Sequence, residues 1–498
     1  MGPTPHNRRP DSLACPDTVS WFGRTLPRAP ALDRTRNGQV SSVRKLVGAT
    51  AVAALCLTAA CTSTEGEEPT PTQSPSPTSP AASTASAGDP VDIRFAVYGN
   101  DEQIESYVDM ADAFTKNNPA ITVTVERAPD SDAGLAKLEN QFRQGDPPDV
   151  YLTQQEDLPG LMAEHRVQPV DELLEDRQVD FGDGFQRGGL EAFSADSALQ
   201  CMPHDVSPMV VYYNDDLLNL RTLADDPDDP DDAPNAEDGW TWDEFAEAAR
   251  QMSRGRVKGV YIEPDLDQLA PFIWSGGGDL VDDVSAPTTL ALGEGDTRGA
   301  LEQVLTLARD PQVTPTQGEL ERVDAVDRFK QGRIGMILGS RELTPALRRA
   351  TGLDFDVMPM PKLGPYRTIS SMSGYCISPE TEHLEATADF LAFAVGREGA
   401  TLTTIAGYTL PSNLQVAHSP AFTQPGEDPQ DSFVFTEGVR RAQHPPLVPQ
   451  WPEVEQEVRP MLERLFYAPV IDLDLRLQQI DTASQPILAP AEETPAAE

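Results

Sequence analysis

The sequence predicts an α/β protein, and three observations carry that prediction. Over residues 91–152, segments that alternate polar and apolar residues take turns with segments whose apolar residues recur at helical spacing. Hydrophobic residues make up 39% of the 498, enough to build cores for two or three ordinary domains and to exclude wholesale disorder. The 46 prolines require that part of the chain be linker.

The elements follow in order. Residues 92–98 alternate and then meet Gly99-Asn100, which predicts a strand ending in a turn. Ile104, Tyr107, Val108, Ala111 and Phe114 share a helical face until Asn117-Asn118-Pro119 stops them. Residues 121–125 form a second alternating strand. Leu135, Leu138 and Phe142 mark a second helix ended at Gly145, and Val150-Tyr151-Leu152 is a third strand. This order implies a parallel sheet with right-handed crossovers, in which ligands bind beyond the carboxyl ends of the strands. The loops 98–101, 127–129 and 153–156 are therefore the first candidates for a site. Further on, Thr241 and Glu244 have the spacing of a capping box, with Trp240 and Phe245 as the flanking staple. Phe329 closes a helix carrying Val323 and Val326, and Gly332 breaks it. Residues 334–338 then read as a buried strand, with Gly339-Ser340 at a following helix start. Ser378-Pro379 is expected to cap a helix bearing Leu384, Ala388, Leu391 and Val395.

Charge narrows the function classes. With 38 Lys+Arg against 80 Asp+Glu the net charge is −42, and no basic domain stands out, so nucleic acid is not an expected partner. Glycine-serine elbow, His-Glu-x-x-His, P-loop and Cys-x-x-Cys motifs are all missing, and six scattered histidines form no metal cluster, so no cofactor or metal is expected. The acidic run 225–232 invites a calcium reading, but it lacks the glycine and final glutamate of an EF-hand loop and its prolines hold it extended. It reads as a solvated acidic insertion.

Arg44-Lys45 precede fifteen uncharged residues, 46–60, and then Cys61. That run is shorter than the ~20 residues needed to span a bilayer and suits the apolar region of a signal peptide. Ala59-Ala60-Cys61 resembles the lipobox of bacterial lipoproteins, with Thr58 where leucine is usual; the resemblance implies a leader over residues 1–60 and lipidation, such as palmitate, at Cys61. Residues 1–40 show no periodicity, and translation starting near Val40 or Val43 would account for them. Without 1–60 the chain keeps 30 Lys+Arg and 77 Asp+Glu, a charge of −47. Residues 61–90 are rich in Pro, Ser and Thr and cannot bury a core, so they read as an extended tether, and 491–498 as a disordered tail.

Five strings in one order then point to a family. Gly145-Asp146-Pro147-Pro148-Asp149-Val150, Met202-Pro203-His204-Asp205 with Val211-Tyr212-Tyr213-Asn214, Thr241-Trp242-Asp243-Glu244-Phe245, the segment 329–336, and Gly407-Tyr408-Thr409-Leu410-Pro411-Ser412 together resemble the sugar-binding solute-binding proteins of ABC importers, the group that includes maltose-binding protein. The resemblance covers nearly all of 91–490. It implies a two-lobed periplasmic-binding-protein type II fold with an interlobe ligand cleft and lobes discontinuous in sequence. It also implies a carbohydrate ligand, ABC permease transmembrane subunits as partners, a membrane contact through the lipid anchor, and no enzymatic activity. The body is expected to act as a monomer on the outer face of the cell membrane. A polysaccharide-processing enzyme with a carboxylate pair and a ligand-sensing lipoprotein are the alternatives.

A sugar site needs aromatic platforms with convergent donors and acceptors. Trp274, before Ser275-Gly276-Gly277-Gly278, and Trp451, in a proline-flanked stretch that reads as a loop, are the aromatic candidates. Tyr98, Asn100 and Gln154 come from strand-end loops. His204, Asp205, Ser340, Arg341 and Tyr408 follow from the family strings. The resemblance also places Cys201 and Cys376 on adjacent interlobe strands, where an even pair in an exported body suggests a disulfide; two separately buried thiols are the alternative.

Overall fold

A computed structural model describes residues 90–224, 226, 229 and 232–489. The leader 1–60, Cys61, the tether up to residue 89, the tail 491–498 and most of the acidic run lie outside the described residues. The principal strands are β1 Val91–Tyr98, β2 Ile121–Ala128, β3 Val150–Gln154, β4 Met202–Pro208, β5 Val210–Asn214, β6 Lys258–Tyr261, β7 Ile334–Gly339, β8 Phe355–Met358, β9 Thr368–Ile377 and β10 Ala442–Gln443. The helices that matter for the site are α1 Asp101–Asn117, α2 Ser131–Gln144, α3 Trp242–Met252, α4 Leu266–Ser275, α5 Gly295–Ala308, α6 Leu384–Val395, α7 Arg397–Ile405, α8 Trp451–Tyr467 and α9 Leu473–Leu488.

These elements form two lobes, each a sheet with its own apolar core. In lobe 1, β1 lies between β2 and β3 and is parallel to both, as the alternation of strands and helices predicts. Asn100 caps α1 in a full capping box with Gln103, and Gly145 ends α2 at φ 68°, the left-handed conformation that favours glycine. β9 joins antiparallel to β3, with Ser373 opposite Gln154, and on it β4 pairs antiparallel, with Ser370 opposite Pro208. Phe95 anchors the core, its ring meeting those of Tyr107, Tyr375 and Phe390 edge-on at 6.0, 5.5 and 5.1 Å.

Lobe 2 is built on the sheet order β8-β5-β7-β6. Thr241 and Glu244 cap α3 reciprocally, and the rings of Trp240 and Phe245 meet at 5.4 Å, which is the predicted staple. The Trp240 indole N–H donates to the Pro359 carbonyl at 2.8 Å, so this fully buried ring leaves no polar atom unpaired. α9 is tied to the lobe through Asp481, whose carboxylate accepts the Leu292 and Gly293 N–H groups at 2.8 and 2.9 Å.

The chain passes between lobes more than once. β4 in lobe 1 runs through Met209 directly into β5 in lobe 2, and β9 returns beside it. Met209 N–H donates to the Ile369 carbonyl at 2.8 Å, and the Thr368 hydroxyl donates to the Met209 carbonyl at 2.6 Å, so the two crossings form one ribbon. Cys201 and Cys376, on the lobe 1 side, form a disulfide with Cα atoms 4.5 Å apart.

Three local expectations need correction. Ser378 does not cap a helix: its hydroxyl accepts the Glu380 N–H in a turn, and α6 begins at Leu384. Val323 precedes the helix Ala325–Lys330, whose cap is Asp324. Trp451 begins a helix instead of lying in a loop, because proline is compatible with the first helical positions. Gly339-Ser340 does stand at a helix start, as expected, because the turn Arg341–Leu343 after Ser340 continues directly into the helix Thr344–Arg348.

Candidate functional site

A cavity of about 230 Å³ lies between the lobes. Its floor is the crossing ribbon, through Met209, Ile369, Ser370 and Met372. Ser370 is 5% exposed, and its hydroxyl has no hydrogen-bond partner.

Lobe 1 supplies one wall. The ladder to β9 holds β3 up to Gln154, after which the chain turns through Gln155–Asp157 and presents Gln154, Gln155 and Glu156 to the cavity. Gln155 is 6% exposed and its Nε2 has no partner. Loss of solvation, then the charges of Asp157 and Asp132, raise the Glu156 carboxyl above its ordinary range. Asp157 is pushed up to about 6, chiefly by burial.

Lobe 2 supplies the other wall. Asp265 caps α4 by accepting the Gln268 N–H at 2.7 Å, and this sets Asp267 in the first turn, against the cavity. Trp451, 2% exposed at the start of α8, donates its indole N–H to Glu455 at 2.9 Å. Burial, and then Glu156, raise the Asp267 carboxyl; burial, then Asp267 and Glu156, raise Glu455. Asp267 and Glu455 in lobe 2 thus sense the charge of Glu156 from lobe 1. Ser340 and Glu342 follow β7, and His444 leads a proline-rich approach to α8. His444 Nδ1 has no partner, and burial lowers the imidazole's pKa.

Three unpartnered polar groups therefore face one cavity. A buried polar group left unpaired costs about 1–3 kcal/mol, so a ligand that supplies partners recovers that cost on binding. The arrangement suits recognition of a small solute with several hydroxyls, above an apolar floor and beside one indole.

Of the residues singled out in the sequence, the cavity gathers Gln154, Ser340 and Trp451. The others lie elsewhere, each for a physical reason. Asn100 is spent on capping α1. Tyr98 ends β1 with its hydroxyl buried and unpartnered, away from the lining. His204 belongs to the lobe 1 core: its ring packs 4.7 Å from that of Tyr375, its Nε2 is 3.3 Å from the Tyr107 hydroxyl, and burial pushes it down to about 3. Asp205 accepts the Ser207 hydroxyl at 2.7 Å and is pushed up to about 8, chiefly by burial. Trp274 is in the lobe 2 core at 6% exposed, and the glycines after it serve close packing. A Cβ on Gly276 would sit 2.7 Å from the Ala300 Cβ, and one on Gly278 2.5 Å from the Thr297 nitrogen, both on α5.

Arg341 is fully buried. It donates to the carbonyls of Gly407 and Phe422 and to Ser432 and Gln424, between the rings of Phe422 and Phe435. It pins lobe 2 together and pairs with no carboxylate. Tyr408 donates to Glu102, which also pairs with Arg349, at the edge where α1 meets lobe 2. Sequence reasoning missed Gln155, Glu156, Asp267, Glu342, Ser370 and His444, which line the cavity. Gln155 and Glu156 lie within the strand-end loop 153–156 that it did select, whereas Ser370 stands in a strand that also carries Thr368, Ser371 and Ser373, so residue type alone did not single it out.

Residues 109–430 match the family of bacterial extracellular solute-binding proteins. No curated protein matches the chain in sequence. Among solved structures it is similar to an ABC substrate-binding protein from Listeria monocytogenes in complex with cycloalternan, with 19% identity, 80% of this chain and 99% of that chain covered, and a TM-score of 0.69. It is similar also to the sugar-binding protein MalE from Xanthomonas citri, with 20% identity, coverage of 80% and 98%, and a TM-score of 0.68. The GacH receptor of Streptomyces glaucescens, solved unliganded and in complex with acarbose, gives 17% identity, coverage of 80% and 99%, and a TM-score of 0.65. At these identities the likeness is one of fold.

Proposed function

The chain belongs to the bacterial extracellular solute-binding proteins, and from that membership we propose that it is the substrate-binding subunit of an ABC importer. It captures a carbohydrate between its lobes and delivers it to a membrane permease, without chemical turnover. The observation that carries this reading is the interlobe cavity with Gln155, Ser370 and His444 unpartnered around it. Two of the similar proteins are described in complex with cycloalternan and acarbose, and a third as sugar-binding, which supports a carbohydrate. The ribbon at Met209 and Ile369 serves as the hinge, and a ligand touching both walls favours the closed arrangement because only there does it make both sets of contacts.

In the same reading residues 1–60 are removed, Cys61 carries lipid, 61–90 tether the body to the outer face of the membrane, and 491–498 form a disordered tail. Replacing the anchor, Cys61→Ser, moves the protein from the membrane fraction to the medium; continued membrane retention would refute the anchor. Binding is tested by a thermal-shift screen of the full chain against mono- and oligosaccharides. A ligand at 100 times its Kd stabilises by about 2.7 kcal/mol. A sugar that raises the midpoint and is recovered intact supports the proposal, whereas a sugar converted to product, or no carbohydrate shifting the midpoint, overturns it.

A further inference from the structure

The charge lining the cavity is one-sided. Glu156 enters from lobe 1 and Asp267 and Glu342 from lobe 2, and no lysine or arginine lines the space. The guanidinium of Arg459, near Asp267, is engaged with Glu263 at 3.4 Å. Beside these carboxylates stand two groups more than nine-tenths buried and without partners, Gln155 Nε2, a donor, and Ser370 Oγ.

Each simple class of solute answers only half of this. A neutral sugar meets Gln155 and Ser370 with its hydroxyls but leaves Glu156 and Asp267 opposed across the lobes, with only Arg459, itself paired with Glu263, as a nearby cation, a repulsion that closure strengthens as water leaves. A bare polyamine neutralises the carboxylates but offers only N–H donors, so Gln155 Nε2 stays unpaired. A solute with hydroxyls and one ammonium group satisfies both. We infer that the ligand is a carbohydrate bearing a protonated amine, an amino sugar, whose ammonium lies between Glu156 and Asp267 while its hydroxyls meet Gln155 and Ser370. This rests on the carbohydrate reading above and narrows it. Burial first, and then the charge of Glu156, raise the Asp267 carboxyl, and burial, then Asp267 and Glu156, raise that of Glu455, which agrees with a site short of positive charge.

Calorimetric titration of the full chain near neutral pH tests it, with glucosamine, galactosamine and the deacetylated chitosan disaccharide, each beside its neutral counterpart glucose, galactose or cellobiose, and with N-acetylglucosamine and spermidine. At least one amino sugar is expected to bind about tenfold or more tighter than its neutral counterpart, a charge-assisted contact being the stronger kind. Asp267→Asn should lower the amino sugar's affinity more than the neutral sugar's, so that the advantage of the amine is lost. Neutral sugars binding as tightly as aminated ones, or an advantage that survives both Asp267→Asn and Glu156→Gln, overturns the amine inference and leaves the carbohydrate reading standing. Binding of spermidine alone, or of nothing in the set, overturns both.

Discussion

Ser370 and Arg341 show how differently two buried polar side chains can be used. The Ser370 hydroxyl makes no bond within the protein, so Ser370→Ala removes nothing the fold depends on. Its unfolding free energy should stay level or rise by up to about 1–3 kcal/mol, the cost of the unpaired hydroxyl, while carbohydrate affinity falls. Denaturant titration and calorimetry measure the two effects, and a large stability loss with unchanged affinity would mean that Ser370 serves the fold alone. Arg341 is the reverse case, a guanidinium satisfied by carbonyl, hydroxyl and amide oxygens and two ring faces. The sequence missed Ser370 and put Arg341 in the site for one reason. Residue type shows that a group can bind, but whether its partners come from its own fold or from a ligand depends on contacts distant in the chain. Trp274 and His204 make the point again: an indole and an imidazole that suit a sugar are packed into the two cores.

Elements were far more legible than partners. The strand and helix alternation over residues 91–154 depends on local periodicity, and the parallel pairing of β1 with β2 and β3 follows from it. The capping box at Thr241 likewise needs only four residues. Trp451 was misread because proline both breaks helices and begins them, and only packing decides which. The crossing ribbon is an element of the same non-local kind. Its disulfide links residues 175 apart in sequence yet joins β9 to the residue just before its neighbour β4, within lobe 1, leaving the lobes free to move about Met209 and Ile369. Cys201→Ser with Cys376→Ser should therefore cost about 2–5 kcal/mol of stability, read by denaturant unfolding, with carbohydrate affinity retained. If affinity collapsed while the fold persisted, the bond would be acting on the hinge.

At the scale of the molecule, acidity becomes a statement about stability. Burial pushes Asp205 up to about 8, Asp265 up to about 7, and Asp157, Asp356 and Asp481 up to about 6. An aspartate in the unfolded chain titrates near 3.9, so between pH ~4 and ~8 the native state holds more protons, and stability rises as pH falls. His204, pushed down to about 3, and His444 work the other way below pH ~6.5, where only the unfolded chain takes up those protons. Carboxyls held low, such as Glu126 and Glu319, lose their contribution only at still more acid pH. The melting temperature should accordingly be higher at pH ~6.5 than at pH ~8.5 and gain little below that. A flat or inverted profile across that interval would contradict the burial of these acids.

The central claim is that a solute is held between the lobes by both walls and the crossing ribbon. Amide hydrogen exchange, with and without the carbohydrate that stabilises the chain most, tests it most directly. Protection should appear together in residues 153–157, 369–372 and 444–451, which lie far apart in sequence and meet only at the cavity. Protection confined to one lobe, or absent from all three segments while the ligand is bound, would contradict it.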